Sequence, residues 1–124
     1  MVKWFHLALG GVAGTFSRYF LNNLMHRVFG SKFPYGTLTV NLIGCFIIGF
    51  LVHLIDKKLL LGENARLLLV VGFCGAFTTF SAFISETHGL LKGGEFFSAL
   101  TNVVASIAVG FIAFRLGAFV GDKF

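Results

Sequence analysis

Charge is what this sequence has least of. Ten Lys or Arg and five Asp or Glu in 124 residues make 12% of the chain, about half the share usual in soluble proteins. The same chain is 56% hydrophobic, with a mean hydropathy of +0.89. A soluble protein this small has no way to hide so much apolar surface, and a bilayer as solvent accounts for it. Cysteine is also scarce. Cys45 and Cys74 form neither a CxxC pair nor a Cys–His set at metal-ligand spacing, so both read as small buried hydrophobes. His6, His26, His53 and His88 are scattered, and no nucleophile–base pair or metal spacing appears, which argues against an enzyme. The net charge of +5 is spread rather than clustered, which sets nucleic acid aside.

The gaps between charges locate the spans. Phe33 to Ile55 holds 23 residues without Asp, Glu, Lys or Arg, while Leu67 to Ser85 and Phe96 to Phe114 hold 19 each. All three reach the roughly 18–20 residues a transmembrane helix needs. A fourth stretch, Trp4 to Leu24, is interrupted by Arg18. The expected fold is an all-α integral membrane protein, a single domain over 1–124 with helices at about 4–24, 35–56, 66–91 and 95–119. The connections are short: His26 to Pro34, Lys57 to Ala65 and Lys92 to Gly94. A cleaved signal peptide is not expected, since no A-x-A site follows the apolar run and Arg18-Tyr19 leads straight into more of it.

Four spans place both termini on one side. That side collects Lys3, Lys57, Lys58, Arg66, Arg115 and Lys123; the other collects Arg27, Lys32 and Lys92, with Arg18 near its end of helix one. The bias favours termini in the cytoplasm, but weakly enough to allow insertion in both orientations.

What is present is polarity in unusual places. Gly72-Phe73-Cys74-Gly75-Ala76-Phe77-Thr78-Thr79-Phe80-Ser81-Ala82-Phe83 lies inside the third span. Gly and β-branched Thr weaken a helix. A broken helix in hydrocarbon strands N–H and C=O groups at several kcal/mol each, so it survives only inside protein or beside a polar path. Gly75 and Thr78 flank the expected break, and carbonyls freed there suit a hard cation such as sodium. Phe80 and Phe83, spaced i, i+3, share a face. Their ring edges are positive and can contact an anion, although phenylalanine in a membrane helix is more often lipid-facing bulk, and this chain has 17.

Helix two carries Thr37, Asn41 and Cys45 at i, i+4, i+8. The Asn41 carboxamide suits either a hydrogen bond to a partly dehydrated anion or a helix–helix contact. Helix four repeats the spacing with Asn102, Ser106 and Gly110, a stripe fit for a watery groove or for packing. Gly10 and Gly14 in helix one favour close packing within the chain over a dimer contact. Arg18 is either an anchor snorkelling to water or an attractor of anions.

These residues resemble a known family, the small fluoride channels called Fluc, or CrcB-type proteins. The resemblance covers nearly the whole chain. It rests on Gly10-Gly11-Val12-Ala13-Gly14 with Arg18-Tyr19, on Gly36 to Gly44, on Gly72 to Phe83, and on Asn102 to Gly110. It implies an antiparallel, dual-topology homodimer with two pores in a bacterial inner membrane, exporting fluoride passively and lowering cytoplasmic fluoride. It implies a structural sodium ion on the dimer axis, held by the carbonyls of Gly75 and Thr78. It assigns the fluoride path to Asn41, Phe80, Phe83, Ser81 and Ser106, with Glu86 as a vestibule carboxylate. Two departures stand out: Ala82 where relatives often carry Thr, and Asn102 where many carry Tyr. The competing reading, a small multidrug or cation antiporter, usually needs an intramembrane carboxylate, and helices one, two and four have none within the span. A structural or assembly subunit would explain the glycines but not the polar break.

Overall fold

A computed structural model describes residues 1–58 and 62–124, Lys57 and Lys58 by backbone alone. The middle of the expected connection from Lys57 to Ala65, and those two basic side chains, therefore lie outside the described residues. Every regular element among the described residues is helical. Helix α1 is Val2–Phe29 and α2 is Tyr35–Lys58. The third span divides into α3, residues 63–77, and α4, Phe80–Lys92, and the chain ends with α5, Phe96–Asp122.

Three stretches among the described residues are long and apolar enough to cross a membrane: Tyr35–Asp56, Glu63–Lys92 and Phe96–Asp122. They coincide with the three charge-free runs. Helix α1 has length enough, at 28 residues, but its polar residues keep it below the same hydropathy. It stops at Gly30, whose φ of 81° needs a residue without a Cβ, and whose N–H reaches the His26 carbonyl at 2.9 Å. Gly94, with φ 77°, makes the tight corner between α4 and α5.

Small residues set how close the helices come. Helices α2 and α5 pack most extensively: Gly49 lies on the Phe114 carbonyl and Gly117 on the Phe46 carbonyl, and a Cβ at either would collide with it. Helix α1 packs mainly on α3. Gly10 faces the Leu68 carbonyl, Gly14 faces the Phe73 carbonyl, and both glycines are buried. These contacts lie within one chain, as expected for that pair. From Leu67 to Cys74, α3 is wound as a π-helix, a wider coil that is rare and frequently found at functional segments. The sequence carries no sign of it.

The interior is slight. Val40, Cys74 and Ala99 are buried, while Trp4, Phe16, Phe20, Phe97 and Phe111 are exposed. Cys74 is thus a buried free thiol, whereas Cys45 is only half-buried. Helix α4 has the least packing, touching chiefly α5 and, more lightly, α2.

Candidate functional site

The third span is interrupted at Thr78–Thr79, where the backbone turns extended (φ −83°, ψ 155° and φ −149°, ψ 123°). The break comes three residues after Gly75, and Gly75 itself remains helical. Thr79 explains the placement. Its hydroxyl accepts from the Ala82 N–H at 3.3 Å and so caps α4. Its backbone is held from α2: the Asn41 Nδ2 donates to the Thr79 carbonyl at 2.9 Å, and the Thr79 N–H donates to Asn41 Oδ1 at 2.8 Å. One carboxamide satisfies both groups that the extended residue strands.

Those bonds have a consequence upstream. In an unbroken helix the Thr79 N–H would donate to the Gly75 carbonyl, and the Ala82 N–H to the Thr78 carbonyl. Both donors go elsewhere, to Asn41 and to the Thr79 hydroxyl. The two carbonyls expected to meet a cation are the two that lose their helical donors. Gly75 is exposed, with open space around it. Among the described residues, no three His, Cys, Asp or Glu gather at metal-ligand distance, so backbone oxygen is the donor type at hand.

Beyond the break the rings of Phe80 and Phe83 stand 5.8 Å apart, tilted by 42°. Phe80 is 74% exposed and Phe83 half-buried. Ser81 is exposed, its Oγ 3.4 Å from the Thr79 hydroxyl. Asn41, Phe80, Ser81 and Phe83 are thus gathered at the start of α4. Glu86 lies farther along α4 and accepts from Thr37 at 2.8 Å. It lines two cavities of about 260 Å³ each. One, reaching the break, includes Thr15, Arg18, Asn22, Thr79 and Ala82. The other opens toward His26, Lys32 and Glu95. Glu86 Oε2 and Asn22 Oδ1 are buried without a hydrogen bond among the described residues. Such acceptors suit the hydrogens of water, while Arg18 brings positive charge to the same cavity. Ser106 stands apart on α5, its Oγ buried and likewise unpartnered among the described residues.

The sequence reading missed three partnerships. Thr79 serves as cap and clamp, a role its place before Phe80-Ser81-Ala82 hints at. Thr37 meets Glu86, and Asn102 Nδ2 donates to the Thr87 hydroxyl at 2.9 Å. Neither of the last two leaves a local signal, because the partners lie 49 and 15 residues apart.

Residues 5–118 match the family model described as CrcB-like protein, Camphor Resistance (CrcB). A protein of Dehalococcoides mccartyi named fluoride-specific ion channel FluC is 44% identical over 116 residues, spanning 94% of this chain and 89% of its own. One of the same name from Solidesulfovibrio magneticus is 43% identical over 115 residues, covering 93% and 92%. Another from Geobacter sulfurreducens is 46% identical over 103 residues, 83% of each chain.

Proposed function

The chain belongs to the CrcB-like family, and from that premise we propose that it is a fluoride-selective channel, exporting the ion passively. Its relatives are named for that ion, and it is a channel-family protein rather than an enzyme. The chain is a multi-pass bacterial membrane protein, with three apolar spans; α1 adds the fourth in this reading, in the inner membrane. The observation that carries it is the Thr78–Thr79 break held open by Asn41, with the Phe80–Phe83 pair directly beyond it.

Fluoride is small and holds water tightly, so a path must replace hydration with donors and polarised C–H edges. Conduction also needs sites weak enough to release. Ring edges of Phe80 and Phe83 supply such contacts without a fixed charge. Asn41 has a second Nδ2 hydrogen beyond the one given to Thr79, and that hydrogen is its donor to the ion. Ser81 and Ser106 extend the path with hydroxyls. Glu86, between the two cavities, is the vestibule carboxylate; its Oε2, with Asn22 Oδ1, takes hydrogens of water travelling with the ion that Arg18 attracts. Chloride, larger and a poorer acceptor, fits such a path badly. Ala82 lines the cavity with a methyl group, so no hydroxyl meets the ion or its water at that step.

Two copies complete the assembly, antiparallel and inserted in both orientations, as the weak basic bias allows. The exposure of Phe80 and of Gly75 in one chain supports this reading. The carbonyls of Gly75 and Thr78 from both copies fit a structural sodium ion, whose charge, when bound, holds the pair together.

The test is efflux from liposomes containing purified protein. Rapid uncoupled fluoride efflux with negligible chloride efflux is expected. Efflux driven only by a proton gradient would indicate an antiporter instead.

A further inference from the structure

We propose that Asn102 and Thr87 form a positioning pair that sets the orientation of the Phe83 ring, an inference resting on the channel reading above. Helix α4 carries both pathway rings yet is the least packed element. Hydrogen bonds from other helices hold it: Asn41 to Thr79 at its start, Thr37 to Glu86 near its middle, and Asn102 to Thr87. The first two come from α2. Asn102 provides the α5-to-α4 side-chain hydrogen bond found among the described residues, and it is 1% exposed. An amide so buried is held by its partner or left costly.

The bond does not end at Thr87. The Thr87 hydroxyl donates to the Phe83 carbonyl at 2.7 Å, one turn back along α4. With its hydrogen turned onto Phe83, its oxygen lone pair faces Asn102. The amide, the hydroxyl and the carbonyl form one line from α5 to the backbone of the ring-bearing residue. Back-bonding of this kind bends a helix slightly, so the pair sets the local tilt of α4 at Phe83. Tilt matters because a phenyl ring presents a positive edge but a negative face. A ring turned from edge-on toward face-on trades an anion-attracting rim for a repelling surface, and a partial turn already weakens the attraction.

The experiment measures fluoride efflux from liposomes containing the protein and its variants, at equal incorporation and unchanged elution in detergent. Thr87→Val should slow efflux by about threefold to twentyfold, the range for one membrane-buried hydrogen bond. Thr87→Ser, which keeps the hydroxyl, should restore the rate to within about twofold of the parent. Asn102→Leu should match Thr87→Val, and the double variant should be no slower than the slower single. Should Asn102→Leu fail to fold, Thr87→Val with its Ser counterpart still decides. A wild-type rate in Thr87→Val overturns the proposal. So does equal slowing by Ser and Val, which would indicate packing, or multiplied losses in the double variant. A silent parent protein overturns the channel reading and the pair with it, whereas an active parent with an indifferent Thr87 overturns only the pair.

Discussion

At Asn41, two hydrogen bonds to Thr79 replace those a continuous helix would supply. Asn41→Leu leaves both backbone groups of Thr79 unsatisfied, at about 1–3 kcal/mol each. A clear drop in melting temperature in detergent, together with lost fluoride efflux, is the expected result; an unchanged melting curve would remove Asn41 from the break. Phe80→Ile removes a ring edge; at about 0.5–1.5 kcal/mol, typical of an aromatic contact, efflux should slow roughly twofold to tenfold, with the elution profile intact. Thr101→Val serves as the contrast. Thr101 is exposed beside Leu100 and Val104, away from the path, and both rate and stability should stay within about 0.5 kcal/mol of the parent. Part of this scale was legible: Asn41, Phe80 and Phe83 could be picked out as polar and paired aromatic groups in an apolar run, Ser81 entered through the family resemblance, and the structure gathers the four at the start of α4. The Thr37–Glu86 and Asn102–Thr87 partners were not legible, since nothing local in a sequence says which distant hydroxyl a side chain will reach.

At the level of elements, charge-free runs located three spans because length without charge is the one demand a bilayer makes of a helix. Interruption of the third was expected from Gly and Thr, between Gly75 and Thr78, and it lies at the far edge of that stretch. It falls at Thr78–Thr79 because Thr79 can cap α4, a local hydrogen bond that outweighs the flexibility of Gly75. The π-coil of 67–74 left no trace, as a wider turn needs no particular residue. The glycines of α1 did show where close approach occurs. Gly14→Val forces a side chain into the Phe73 carbonyl, and overpacking of this kind costs about 1–3 kcal/mol or more. A sharp fall in the monodisperse fraction after extraction is expected, and normal yield would mean α1 can slide off α3.

For the whole molecule, the thin interior and the exposed aromatic surface fit a chain whose solvent is lipid, and the proposed second copy would cover part of that surface. Purification with potassium or N-methylglucamine in place of sodium should lower the dimer fraction on cross-linking as well as the flux. A dimer indifferent to the exchange would exclude a sodium ion on the carbonyls of Gly75 and Thr78 as what holds the pair together. Replacing Glu63 by Gln, by contrast, removes a pair with Lys3 (2.7 Å) that is well exposed on both sides. Stability should change by less than about 1 kcal/mol, as read by thermal melting. The interruption itself reaches further than its two residues. It turns one long macrodipole into two short ones, meeting nose to tail inside the third span. The negative pole of α3 attracts a cation while, a few ångströms along, the positive pole of α4 attracts an anion. A single cut thus makes the coil ambipolar, so that an uncharged segment can serve ions of either sign.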